Sequence, residues 1–270
     1  MSGGAPASIR LGGLPLRRDV AFAWMLVGLL AALAWVVTLG QSRDSGMEPG
    51  TMGLALPLFL VLWVVMMAAM MLPSMAPVAI TWARSIGRQS VGPARAARIA
   101  QFTSGYLIAW ATFGLIMYGA LAAAGRFVDD HRSAGRWIGA AAFLLAGLHQ
   151  FGPLKTVCLR HCRNPMAHLV HYAQFRPWIR DLRVGAHHGS YCVGCCAALM
   201  IVLIPLGLMN VAAMAALAGV IFLEKLWRRG PLLSRAVGVA FLVLAALAPF
   251  QDWLLPGLQP ADQPMVDQPM

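Results

Sequence analysis

Five cysteines occupy one stretch of this chain and occur nowhere else in it. Cys158 and Cys162 stand four apart in Lys155-Thr-Val-Cys-Leu-Arg-His-Cys-Arg163. Cys192, Cys195 and Cys196 form a C-x-x-C-C cluster in Ser190-Tyr-Cys-Val-Gly-Cys-Cys-Ala197. Thiolates are the ligands that soft metal ions prefer. If residues 154–163 are helical, Cys158 and Cys162 share a face, with His161 beside it. Lys155, Arg160 and Arg163 surround these thiols, and nearby positive charge favours the thiolate, the ligand form. The C-x-x-C spacing of Cys192 and Cys195 suits closure on one ion, and Cys196 adds a third sulfur. Buried cysteine as plain apolar filler is the competing reading. Five in 39 positions, with two recurring ligand spacings, weigh against it. A disulfide is disfavoured if this region faces the cytoplasm, where thiols stay reduced.

Thioethers extend the soft-ligand pattern. Met66, Met67, Met70, Met71 and Met75 form i,i+4 pairs 66/70, 67/71 and 71/75, a stripe along one predicted helix. Flexible packing is the ordinary use of methionine. The functional reading is a soft path for Cu(I) through Met67, Met71 and Met75. Pro73 and Pro77 are expected to break or kink this helix. Met200, Met209 and Met214 are candidates to face the stripe. Six of the seven histidines fall between positions 149 and 188. His149, His161, His187 and His188 lie near the cysteines, and His168 and His171 fall in a predicted amphipathic helix. Each alone is more often structural, yet histidine is the commonest metal ligand.

The elements that must position these groups are apolar. Of the 270 residues, 59% are hydrophobic and only 11% charged, with mean hydropathy +0.69. Soluble domains carry about 25% charged residues, so an ordinary cytosolic protein is excluded. The net charge of +11 does not point to nucleic acid, because the arginines fall between apolar segments, as the positive-inside rule requires. The fold class read here is all-α: a polytopic transmembrane helix bundle of six or seven membrane segments. Apolar runs span about Val20–Leu39, Leu54–Ile80, Phe102–Ala124, Trp137–Leu148, Cys192–Leu223 and Ala236–Phe250. The first is too long for a signal-peptide core and reads as an uncleaved helix.

The fifth run would be about 48 Å as one helix, against about 30 Å of hydrocarbon. Pro205-Leu-Gly207 and Asn210 favour a hairpin of two short helices there, giving seven segments; the short arms also allow a re-entrant pair, and one long tilted helix, giving six segments, is the alternative. Loop charges put the N-terminal segment 1–19, the 84–98 loop and a Cys/His-rich loop at 150–191 in the cytoplasm. The helical membrane domain is 20–250, and the tail 251–270 reads as disordered. Glu224-Lys225 reads as an interfacial pair with the lysine snorkelling; an ionisable pair within a span would instead be a functional candidate. Gly105, Gly114 and Gly119 permit close helix packing, within one chain or between chains; the oligomeric state is left open.

These motifs together resemble a bacterial family of predicted metal-binding integral membrane proteins, catalogued as domain of unknown function 2182. The resemblance rests on Met66 to Pro77, Gly147 to Lys155, Cys158 to Pro165, Gly189 to Cys196, Leu199-Met200, Gly207 to Met209 and Glu224-Lys225. It covers about residues 20 to 250. His149 departs from the family's usual aromatic before Gln150, and Ala197 from a usual tryptophan after the Cys pair. No cysteine is lost. The resemblance implies metal binding and a multi-pass position in the bacterial inner membrane, and it supplies no reaction.

The sequence reading is therefore a membrane metal handler and not an enzyme. Copper is favoured, with zinc the alternative. The candidate ligands are Cys158, Cys162, Cys192, Cys195, Cys196, His161, His149, Met67, Met71 and Met75. Expected partners are the lipid bilayer and a metal chaperone or a metalloenzyme under assembly, with no nucleic acid. A scaffold with a structural zinc site and a membrane thiol oxidoreductase are the rival functions. No P-loop is present to drive transport with nucleotide.

Overall fold

The computed structural model describes residues 15–44, 51, 53–86, 92–130, 134–164 and 179–258. Every regular element among them is helical. The long helices are α1 (Pro15–Asp44), α2 (Leu56–Ile86), α3 (Gly92–Asp130) and α4 (Ala134–Phe151). A shorter α5 (Pro153–Arg163) precedes α6 (Arg180–Ile201) and the single turn α7 (Leu203–Leu206). Helices α8 (Val211–Leu226) and α9 (Gly230–Leu247) follow, then three 3-10 turns end at Leu258.

Four helical stretches are long and apolar enough to cross a membrane: Leu56–Trp82, Ala96–Arg126, Arg180–Ile201 and Gly230–Phe250. Helices α4 and α5 make a fifth if they form one broken span, bent by 63°. The outward faces keep large apolar side chains, among them Leu33, Ile116, Leu145, Leu232 and Val239.

Helix α2 runs unbroken through Pro73 and Pro77, contrary to the expected break. Each proline removes one backbone donor and leaves one carbonyl in the preceding turn without its helical partner. Dense packing holds the helix through that gap: Met66, Met67, Met70, Met71 and Met75 are all buried. The fifth apolar run is broken near Pro205-Leu-Gly207 and Asn210, where the sequence placed its break. Gly207 takes φ +91°, a conformation open to glycine and strained for other residues. Asn210 then caps α8, its side-chain oxygen accepting the Ala213 N–H at 3.1 Å. One long tilted helix is ruled out.

Helices α5 and the first turns of α6 occupy much of the stretch expected as a Cys/His-rich loop. His168 and His171 lie outside the described residues. Residues 251–258, the start of the expected disordered tail, form 3-10 turns with Leu254, Leu255 and Leu258 buried. Residues 259–270 lie outside the description.

Helix α3 lies along α6 at very close approach. Gly105 of α3 faces the Leu182 carbonyl, and Gly185 and Gly189 of α6 face the backbone of Phe102 and Tyr106. Gly114 admits the Trp63 ring, whereas Gly119 faces open space. An ion pair fixes the polar end of this crossing. Arg98 donates from Nε to Asp181 Oδ2 at 2.8 Å, and Trp82 Nε1 donates to Asp181 Oδ1 at 2.9 Å. Three helices are tied there through one buried carboxylate.

Candidate metal centre

Helix α6 carries the C-x-x-C-C cluster in its middle, so Cys192, Cys195 and Cys196 project into the core. Helix α5 bends back from α4 and lays its buried face of Lys155, Cys158, Leu159, His161 and Cys162 against α6. The face follows from sequence, since positions 155, 158, 159 and 162 repeat at helical spacing. The sulfurs of Cys192, Cys195 and Cys196 lie within 4.8 Å of one another. Cys195 and Cys196 are 3.2 Å apart, and Cys162 reaches across from α5 to 3.8 Å from Cys195. Two sulfurs sharing an ion at about 2.3 Å each stand no more than about 4.6 Å apart. The cluster is therefore close to the spacing a single soft ion needs. All five thiols are free.

Cys158 is set apart from this convergence. It shares the buried face of α5, but its sulfur lies against the backbone of Gly194, 2.7 Å from where a Cβ would stand there. Gly194, one of the two residues inside the C-x-x-C, thus makes room for α5 to close over the cluster.

The expected basic surroundings are rearranged. Arg160 is exposed. Arg163 donates from Nη1 to the carbonyls of Glu224 (2.5 Å) and Trp227 (2.8 Å), capping the end of α8, where carbonyls lack helical partners. Lys155 is buried and donates to Glu224 Oε2 at 2.6 Å and to the Cys195 carbonyl at 2.8 Å. The cation beside sulfur is Lys225, whose Nζ lies 3.0 Å from Cys192 Sγ and 3.1 Å from Ser74 Oγ. The Tyr106 hydroxyl is 3.1 Å from the same sulfur.

Glu224 and Lys225 are thus not an interfacial pair. They are 1% and 7% exposed and serve different partners, Glu224 bonding Lys155 and Lys225 bonding Cys192. Gln150 donates to Glu224 Oε1 at 3.1 Å, and Ser234 donates to Gln150 Oε1 at 2.9 Å. The buried carboxylate is therefore satisfied by Lys155 and Gln150, as a buried charge requires. Sequence reasoning read Lys225 first as an interfacial residue, placed Gln150 only at the end of the fourth segment beside the Cys region, and missed Tyr106 and Ser74 altogether. Nothing in their spacing links them to the cysteines.

His149 is fixed by a bond from Nε2 to the Gly194 carbonyl at 3.0 Å. A carbonyl only accepts, so Nε2 carries the proton. Nδ1 remains a buried lone pair with no hydrogen-bond partner. Such a ring, held through its other nitrogen, has the form of a metal ligand, although it does not join the three-sulfur group. His161 stacks on Tyr191 with centroids 3.7 Å apart, and His187 and His188 lie at 5.5 and 6.1 Å from it. It neighbours the site and packs in an aromatic layer of α5 and α6.

Met67, Met71 and Met75 are buried on α2. Ser74, between Met71 and Met75, bonds Lys225, and Lys225 bonds Cys192. The proline-containing segment of α2 thus stands one ammonium away from the thiol cluster. Met200, Met209 and Met214 are buried as well.

The sequence matches the PpoB2 copper chaperone family over residues 60–248. No curated protein and no solved structure matches the chain. The matched region holds all five cysteines, the methionine stripe, Glu224 and Lys225, and it covers well over half of the chain. The protein belongs to the PpoB2 family of copper chaperones.

Proposed function

We propose that this protein is a membrane-embedded chaperone for Cu(I), binding the ion through two thiolates drawn from the cluster of Cys162, Cys192, Cys195 and Cys196 and passing it to a metalloenzyme under assembly. The observation that carries this reading is the buried convergence of free thiols beside one ammonium, Lys225. Soft sulfur selects Cu(I) over harder ions. Charge favours the same ion. Cu(I) on two thiolates carries one negative charge, which Lys225 cancels, and burial strongly penalises a residual charge. A divalent zinc ion on four thiolates would leave a negative charge uncompensated. Copper is the cargo, and the chemistry is binding and ligand exchange without catalysis.

Seven membrane segments accommodate the helices: α1, α2, α3, the bent pair α4–α5, α6, α8 and α9. The short α8 would span about 24 Å. With the N-terminus in the cytoplasm of a bacterium, the ends carrying Arg98, Asp181, Arg163 and Arg229 all face inward, in line with the positive-inside rule. The contacts of Arg98 with Asp181 and of Arg163 with the end of α8 support that common side. The thiol cluster then lies at the cytoplasmic edge of the bilayer, and Met67, Met71 and Met75 offer thioethers to the ion from the α2 side.

The test is copper retention and release. The full chain, purified in detergent under reducing conditions and offered Cu(I), should hold about one copper per chain. A variant with Cys162, Cys192, Cys195 and Cys196 changed to Ser should hold none. Zinc in place of copper, or copper kept by the variant, would overturn the reading.

A further inference from the structure

A cavity lies on the far side of α5 from the thiols. It measures about 830 Å³ and opens between the α4–α5 bend and the first turns of α9. Its charge is one-sided. Arg160, Arg163 and Arg235 line it, with Lys155 at its inner wall. No carboxylate is among the described residues that line it, because Glu224 is turned to Lys155 and Gln150.

Arg160 and Arg235 are exposed at the cavity and meet no carboxylate among the described residues. Arg163 spends Nη1 on the end of α8 and keeps its other donors. Asn164 and Thr156 add neutral polar groups, and Phe151 and Leu159 add apolar wall. Guanidinium groups pair with phosphate oxygens in a fixed bidentate geometry. The cavity is of a size that takes small molecules. Its flanks continue as exposed Leu154, Val157 and Leu232, at 57%, 57% and 62% exposure. A cationic cavity above an apolar flank suits an amphiphile with an anionic head.

We propose that this cavity binds the phosphate of an anionic phospholipid headgroup, with the acyl chains lying along Leu154, Val157 and Leu232. The assignment rests on the membrane reading above and is independent of the copper site. Cluster and cavity share the wall formed by α5. The bound lipid therefore braces the helix that closes over the cysteines.

The delipidated full chain in neutral detergent is titrated with short-chain phosphatidylglycerol, with phosphatidylcholine and with inorganic phosphate, reading adducts by native mass spectrometry and the shift in Tm. Phosphatidylglycerol should bind saturably and raise Tm, and phosphatidylcholine should not. The Arg160→Gln/Arg235→Gln variant should bind phosphatidylglycerol about ten-fold or more weakly. Arg228→Gln/Arg229→Gln, which removes equal charge outside the cavity, should bind as the parent does. Equal loss in both variants, or none in the first, overturns the site. Binding of inorganic phosphate through Arg160 and Arg235 without phosphatidylglycerol overturns the lipid as its source. Flotation with phosphatidylcholine vesicles tests the membrane reading separately, and a helical circular-dichroism spectrum and a single size-exclusion peak matching the parent's show that the variants are folded.

Discussion

The Lys225 ammonium lies 3.0 Å from the sulfur of Cys192, in the interior of the helix bundle. Lysine has donors and no acceptor, so the contact is one in which sulfur accepts. A thiolate at this depth needs a nearby positive charge, and Lys225 provides it. Lys225→Met should therefore lower Cu(I) affinity about ten- to a hundred-fold, the usual effect of removing a group that supports a metal ligand. Competition with a chromophoric Cu(I) chelator measures it. Ser74→Ala, which removes only the other partner of Lys225, should cost far less.

Glu224 and Lys155 form a buried ion pair at 2.6 Å, both nearly inaccessible to solvent. Glu224→Gln leaves the Lys155 ammonium without a counter-charge and should destabilise the fold by about 3–5 kcal/mol. The double variant Glu224→Gln/Lys155→Met removes both charges and should recover much of that loss. Thermal unfolding in detergent, compared between the two, decides it. Equal melting of the single variant and the parent would show that the pair is structurally idle.

Met67, Met71 and Met75 separate packing from ligation. Leucine conserves volume, so each Met→Leu exchange should cost less than about 1.5 kcal/mol of stability. The triple exchange should nonetheless slow transfer of Cu(I) from the loaded protein to a chelator in solution. Unchanged stability with unchanged transfer would reduce the stripe to core packing.

The crossing of α3 and α6 depends on missing side chains. A Cβ at Gly185 would collide with the Phe102 backbone, which cannot move aside as a flexible side chain can. Gly185→Ala should cost about 1–3 kcal/mol. It should also disturb Tyr106 and Cys192, which lie one to two turns along the same crossing. Gly119→Ala, at an open helical position, should be neutral or stabilise by up to about 1 kcal/mol. Melting temperatures of the two variants should move in opposite directions or differ by this margin.

Much of this was legible in the sequence, for identifiable reasons. The C-x-x-C-C spacing, the i,i+4 pair Cys158/Cys162 and the break at Gly207–Asn210 are local patterns, and local patterns report local geometry. What converges from distant positions was not legible. Cys162 and Cys195 meet across two helices, and Lys225 reaches Cys192 from a third. Periodicity places a residue on a face but does not say which helix that face meets. Arg163 shows the same limit: its charge suggested a partner for thiols, and its reach took it to the end of α8. Cys158, equivalent to Cys162 by spacing, is separated from the other sulfurs because Gly194 lets it sit against the backbone of α6.

X-ray absorption at the copper edge of the Cu(I)-loaded full chain tests the central claim most directly. The account predicts a first shell of sulfur alone, at about 2.3 Å as for other thiolate–metal bonds, lost when Cys192 and Cys195 are changed to Ser. A shell dominated by nitrogen or oxygen, or one that survives those two exchanges, would contradict it.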